Sequence, residues 1–336
     1  MKKILFFLVI GLTLAYLLCF PAQAFAASAS GLTLWFHTVL PSLLPFLILS
    51  DFLIHTGRIP RFLKHFQGFF ARFLGLDSYG AYACVLGLFC GYPMGAKLTA
   101  DLVREQKISL AEAKYLLAFS NNASPMFLSS YVLLNTLDAR EYTFPTFFIL
   151  YAADMLTALH FRIKYHPLSP GPAPKKGNPA RENYSGGSSR LKAKSPENTD
   201  KKKETSGGSL SRLIDVSIMN GFETITRLGG YIILFSIGAS MIVRLTRPFP
   251  LLGWILPGLV EITTGIHQAA SSPLPFEIRY LLILVFTAFG GLSAAAQTKG
   301  MLSGTPLSLK HYLPGKLIHA AWTLVLGILF LFFLRR

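Results

Sequence analysis

The feature that most limits what this chain can become is the recurrence of apolar runs almost free of charge. They cover Ile4–Phe20, Thr38–Ile54, Phe144–Leu159, Tyr231–Val243, Tyr280–Phe289 and Leu317–Leu334. Several approach the roughly 20 residues that a helix needs to cross a bilayer. In hydrocarbon every backbone N–H and C=O must find an internal partner, so runs of this kind fold as helices. Composition agrees: 52% of residues are hydrophobic and only 14% charged, against roughly 25% charged in a soluble domain. The fold class read from this is all-α, a polytopic membrane protein whose expected partner is the lipid bilayer.

The net charge of +16 would point to nucleic acid on a soluble chain. Here the basic residues fall mostly between spans, where the positive-inside bias accounts for them. No recognition motif accompanies them, so no nucleic-acid partner is expected. Cys19, Cys84 and Cys90 lie in apolar segments without His or acidic residues at ligand spacing, and read as small buried hydrophobes. No metal site and no cofactor are expected. The sequence has no GxSxG, HExxH or GxxxxGK[ST] pattern, so no enzymatic role is expected.

Four parts follow along the chain. Residues 1–28 carry Lys2-Lys3, an apolar run and small residues around Ala22–Ala26. That is the pattern of a secretory signal, though the run is long for one and also suits a retained span. Residues 29–163 form a first membrane repeat. Residues 164–211, rich in Pro, Gly, Ser and Lys, read as a disordered cytoplasmic loop. Residues 212–336 form a second membrane repeat. Ile59–Leu74 alternates Phe with Arg, Lys and His at helical spacing, as an interfacial helix does. The closing Arg335-Arg336 places the carboxyl terminus on the cytoplasmic side with the loop.

Counting crossings exposes a conflict. The chain is inside near Arg72 and again near Lys164, with three apolar pieces between: Tyr79–Leu98, Tyr115–Leu137 and Tyr142–Phe161. The simplest repair is that the first enters, breaks at Gly91-Tyr92-Pro93-Met94-Gly95 and returns. Broken backbone at membrane depth survives only inside protein or beside a watery cavity. A second break at Gly290–Gln297, followed by Ser308 as Ser109 follows the first, repeats the pattern. The differences 290 − 91, 298 − 99 and 308 − 109 all give 199. Two such breaks in two halves point to inverted repeats with re-entrant hairpins around a transporter site. Ser109 reads as a helix N-cap, with Glu112 completing a capping box.

Polar groups inside the spans supply the candidate binding residues, because each costs free energy to place there. Asn121, Asn122, Ser124 and Pro125 interrupt an apolar helix. The amides offer hydrogen bonds, and Pro125 frees an upstream carbonyl. Glu261 with Thr263 forms a second polar site in an apolar stretch. Gly91, Tyr92, Pro93, Gly95 and Lys97 form the first break, and Ser293 and Gln297 the second. A lysine beside a helix N-terminus suits an anion. Lys97 and Asp101 also stand i, i+4 and can simply neutralise one another. Asp51, Asp154 and the Glu223/Arg227 pair are weaker candidates.

The stretches Gly91–Leu102 and Leu117–Phe127 resemble the first signature of the sporulation integral membrane protein YlbJ family, also called stage V sporulation protein V. Gly258–Gly265 and Gly290–Gln297 resemble its second half more loosely. The resemblance implies paired nucleoside-recognition Gate domains, distantly similar to concentrative nucleoside transporters. It implies a transporter acting in endospore formation, at the cell membrane or outer forespore membrane, with dipicolinic acid as cargo. The expected partner is therefore a small anionic solute, dipicolinate, or else a nucleoside. A nucleoside carrier and a non-transporting membrane protein for spore morphogenesis are the competing expectations.

Overall fold

The computed structural model describes residues 2–56, 67–165 and 206–334, and these residues are helical with no strand among them. Helix α1 (Lys2–Cys19) meets α2 (Pro21–Leu34) at a 109° bend around Phe20. Pro21 opens α2, where its missing N–H leaves no bond unmade. A π-helical turn, Trp35–Val39, joins α2 to α3 (Leu40–Thr56). After a short α4 (Gln67–Phe73) come α5 (Ser78–Cys90), α6 (Met94–Arg104) and α7 (Leu110–Phe119). A π-helical segment, Phe127–Thr136, and α8 (Thr143–Tyr165) close the first half. The second half holds α9 (Ser206–Leu245), α10 (Pro250–Val260), α11 (Ile262–Ala270), α12 (Phe276–Phe289), α13 (Gly291–Met301) and α14 (Leu309–Leu334).

Among the described residues four stretches are long and apolar enough to cross a bilayer, Arg140–Tyr165, Leu210–Leu245, Phe276–Met301 and Leu309–Leu334, and the bent pair Phe7–Cys19 with Pro21–Val39 passes the same test jointly. Their outward faces carry large apolar side chains such as Phe144, Phe148, Leu234, Ile328 and Phe333, all exposed. A soluble surface rarely gathers so many; against lipid tails they cost nothing.

Helices α2, α3 and α9 form one wall. Gly31 of α2 meets Ser236, Gly229 receives the Trp35 ring, and Gly221 receives Ile48. Residue numbers fall on one helix as they rise on the other, so the wall is antiparallel. Trp35 Nε1 donates to the Ile225 carbonyl at 2.8 Å, satisfying the indole inside the wall.

The remaining helices pack as a second body. The Tyr165 ring lies 6.4 Å from His311, so α8 ends where α14 begins. At the other end Tyr142 packs against Phe276, Tyr280 and Phe330. These contacts define a loop face, marked by Tyr165, and an opposite face, marked by Tyr142. Leu334 ends α14 on the opposite face. The expectation that the basic loop and the carboxyl terminus share a side is therefore corrected. A single uninterrupted span, α14, separates them, and two arginines at a terminus do not outweigh that geometry. Arg335-Arg336, most of the 164–211 segment and residues 59–66 of the expected interfacial helix lie outside the described residues.

The first expected hairpin is present. Helices α5 and α6 fold back on each other about Gly91–Pro93, with Gly87 against Gly95. The second expected hairpin is not where the sequence placed it. Helices α12 and α13 run on as one candidate span, Phe276–Met301, interrupted at Gly290. The hairpin of the second half is α10/α11, turning at Glu261, where the backbone at Gly265 sits on Gly258 so closely that a Cβ would lie 2.0 Å from the Gly258 Cα. The element order thus recurs as helix, hairpin, broken span, helix: α3, α5/α6, α7 with Phe127–Thr136, α8; then α9, α10/α11, α12/α13, α14. The hairpin turns and span breaks are separated by 261 − 91 and 290 − 120, both 170. The sequence register of 199 paired a hairpin turn with a span break. Both are Gly-rich interruptions, and composition does not record whether the chain reverses or continues.

Candidate functional site

All four interruptions meet at one place. The cavity between the two bodies is lined by Gly91 and Tyr92 from the first hairpin, and by Ala123 and Ser124 from the first broken span. Glu261 and Thr263 come from the second hairpin, and Gly290, Ser293 and Gln297 from the second broken span. Thr38, Leu43 and Ile232 of the α2–α3/α9 wall close the other side. A second cavity lies toward the opposite face, between Ser30, Ser236 and Ser240 on the wall and Tyr131, Thr263 and His267 across from it. A third lies toward the loop face, between Asp51, Asn220 and Arg227 on the wall and Lys97, Asp101 and Arg104. Their empty volumes are about 940, 680 and 1480 Å³ in order from the opposite face. The middle one is the waist.

The breaks have local causes. Gly290 adopts φ +80°, a left-handed conformation that a residue with a Cβ resists, and it ends α12 while opening α13. No side chain caps α13, so first-turn N–H groups there stay available at the cavity. In the first broken span Pro125 lacks an N–H, which leaves the Asn121 carbonyl four residues upstream without its helical donor. Lys316 of α14 supplies one: its Nζ donates to the Asn121 carbonyl at 3.0 Å and to Asn122 Oδ1 at 2.5 Å.

The two amides do different work. Asn121 Oδ1 accepts from the Ala96 N–H at 3.3 Å, and its Nδ2 donates to Thr298 Oγ1 at 2.9 Å. It therefore ties hairpin arm α6 to broken-span arm α13. Asn122 Nδ2 donates to the Phe119 carbonyl at 2.7 Å and to Asp154 Oδ1 at 2.8 Å. Both asparagines are buried and neither lines the central cavity. They set the shape of the break rather than present themselves to a solute. Tyr92 adds another cross-tie, donating its hydroxyl to the Thr287 carbonyl at 2.7 Å while its ring stays at the cavity.

Glu261 is not a free acid. Its carboxylate caps α11, accepting from the Thr263 N–H, Thr263 Oγ1, Thr264 N–H and Thr264 Oγ1 at 2.6–3.0 Å. Four donors and a helix N-terminus satisfy it. The Thr263 carbonyl accepts from Tyr131. Ser293 Oγ accepts from Gln297 Nε2 at 3.0 Å, and both residues line the cavity.

The structure therefore gathers Gly91, Tyr92, Ser124, Glu261, Thr263, Ser293 and Gln297 around one cavity and leaves others apart. Lys97 lies in the loop-face cavity, paired with Asp101 at 2.6 Å, which is joined in turn by Arg104. Pro93 caps α6, Gly95 packs on the Ser120 carbonyl, and the Pro125 carbonyl accepts from Ser129. Ser109 caps α7 as expected through the Glu112 N–H at 3.1 Å. The Glu112 carboxylate reaches the Asp77 N–H at 2.9 Å instead of closing the box on Ser109.

Two residues escaped the sequence reading. Lys316 and His319 lie in α14, 1% and 3% exposed, beside Asp154 at 1%. Lys316 sat just before the apolar run that began at Leu317, and so read as a flank. Extending α14 back to its true start at Leu309 makes it a charge inside a span, which is the signal that identifies it.

Comparison with known proteins supports the family resemblance. The chain is 27% identical to the sporulation integral membrane protein YlbJ of Bacillus subtilis (strain 168), over 92% of this chain and 78% of that protein. No protein-family model and no solved structure matches the chain. The resemblance to the YlbJ family is thereby borne out, while the Gate-domain reading gains nothing from it.

Proposed function

We propose that this chain is a secondary transporter of a small anionic solute, acting in endospore formation with dipicolinate as cargo. The observation that carries the proposal is the meeting of four backbone interruptions at a waist between cavities reaching toward the two faces. Irregular backbone at membrane depth is tolerated where it lines a path for solute. The Bacillus relative, a sporulation integral membrane protein, supplies the link to sporulation.

The chemistry of the waist fits a flat ring bearing carboxylates. The aromatic side chains of Tyr92 and Phe127 line it, and the uncapped start of α13 offers N–H groups to an anion. The single acidic side chain at the waist, Glu261, is already saturated by donors. In this reading α3, the α7 broken span and α8 each traverse the first half as α9, α12/α13 and α14 traverse the second, an odd number, so the second half runs inverted. The path follows the seam between the α2–α3/α9 wall and the body that carries the breaks. Movement of that body along the wall would open the waist to each side in turn. The loop face is assigned to the cytoplasm, since Arg72, Arg104, Lys107, Lys114, Arg162, Lys164 and Lys310 gather there against Arg140, Arg244, Arg247 and Arg279 opposite.

The test is dipicolinate uptake into vesicles carrying the protein, with Gln297→Ala and Ser124→Ala beside the wild type. Saturable uptake, weakened in both variants, supports the reading. A folded wild type that takes up no dipicolinate under any pH or ion gradient sinks it. Competition by a purine nucleoside in place of dipicolinate would turn the same site into a nucleoside carrier.

A further inference from the structure

The Asp154–Asn122–Lys316 cluster stands behind the waist and touches no solute in the reading above. Its geometry is that of a relay. Lys316 Nζ donates to Asn122 Oδ1 at 2.5 Å, and Asn122 Nδ2 donates to Asp154 Oδ1 at 2.8 Å. One amide thus holds a lysine and a carboxyl group apart while bonding both. The other carboxyl oxygen, Asp154 Oδ2, is buried without a hydrogen-bond partner. It belongs to a small cavity that includes Asn122, Ala123, Leu150, Thr287 and His319. Ala123 lines this cavity on one side and the waist on the other.

We infer that Asp154 is the proton-binding site that couples solute entry to a proton gradient, with Lys316 as its counter-charge. The inference rests on the transporter reading and deepens it. A proton arriving from solution would bond to Oδ2, the oxygen without a partner. Protonation cancels the Asp154 charge and leaves the Lys316 cation uncompensated in a buried site, which is costly. An anion at the waist restores neutrality across the break. Proton and anion therefore assist one another, and linkage requires the assistance to be mutual.

Among the described residues, the charged and titratable groups that face Asp154 come from α5, α7, α8 and α14. Cys84 from α5 and Tyr115 from α7 approach Asp154 from one side, with Tyr151 on its own helix. Lys316 and His319 face it from α14. Lys316 also lies 5.5 Å from the Tyr92 ring and 5.9 Å from the Tyr312 ring, so the cation is in touch with a residue of the waist. A metal cation is a poor occupant, because Lys316 already places a positive charge there.

Two measurements on the full chain in liposomes test this. Infrared difference spectra should show a protonated-carboxyl band that grows when dipicolinate is added at constant pH, and that is missing from Asp154→Asn. With a pH dye trapped inside, dipicolinate entry should acidify the lumen. Asp154→Asn should still exchange solute, though more slowly, with proton movement lost to the level of protein-free liposomes. Should Asp154→Asn fail to fold, the double variant Asp154→Asn/Lys316→Met, which removes both charges together, should show the same loss. Solute entry without proton movement in the wild type overturns the inference, as does wild-type proton flux in the double variant. A carboxyl band at Asp154 in a wild type that transports no solute would instead sink the transporter reading and leave Asp154 as a proton site.

Discussion

At the scale of single residues, the break at Ser120–Ser124 depends on donors that come from far along the chain. Replacing Lys316 with Met leaves the Asn121 carbonyl and Asn122 Oδ1 buried without their donor and Asp154 without its counter-charge. Breaking one side of such a pair costs about 3–5 kcal/mol, so Lys316→Met should lower the melting temperature in detergent markedly. Asp154→Asn/Lys316→Met should recover much of that loss, since removing both charges leaves neither stranded. A double variant no more stable than Lys316→Met would show that the two residues do not act as a pair. Asn121→Ala cuts the tie between Ala96 and Thr298. Each orphaned buried partner costs about 1–3 kcal/mol, and uptake should fall with the loss of alignment between α6 and α13. Unchanged uptake and stability would assign Asn121 no part in the architecture.

At the scale of elements, the α10/α11 hairpin closes only because Gly258 and Gly265 lie backbone to backbone. Gly265→Ala forces a Cβ against main chain that cannot move aside. Overpacking of this kind costs about 1–3 kcal/mol. The expected result is a lower melting temperature with the far α5/α6 hairpin undisturbed, read by hydrogen exchange in each segment. Much of this level was legible from sequence. The apolar runs gave the helices, the Gly91–Pro93 interruption gave the first hairpin, and Ser109 gave a helix start. The break at Asn121–Pro125 was also visible, because two amides and a proline have no other business in an apolar helix. What stayed hidden was direction. Gly290 and Gly91 look alike in sequence, yet one continues the span and the other reverses it, because packing against the neighbouring helix decides the outcome. Glu261 marked a real turn, but its role as a cap depended on Thr263 and Thr264 turning their donors back onto it. The Lys316–Asp154 pairing joins residues 162 positions apart (316 − 154), beyond the reach of any local pattern.

At the scale of the whole molecule, the α2–α3/α9 wall meets the second body along the line of cavities. Gly300 of α13 packs against Tyr231 of α9 across that seam. A Tyr231→Cys/Gly300→Cys pair, in a background with Cys19, Cys84 and Cys90 replaced, should be bridged by a thiol cross-linker. Uptake should stop on cross-linking and return when a cleavable linker is reduced. Transport that persists while the bridge is intact would mean that the two bodies do not move past each other there.

Lys316 sits on α14, the last helix described, and that position bears on the order in which the protein is made. Asp154, Asn121 and Asn122 are synthesised and inserted long before their lysine exists. During that interval the first half holds an unpaired carboxyl group and an open carbonyl, both of which are costly in lipid. Synthesis of α14 is thus the event that neutralises the interior, and a polypeptide stalled short of residue 316 lacks the cation that its first half needs.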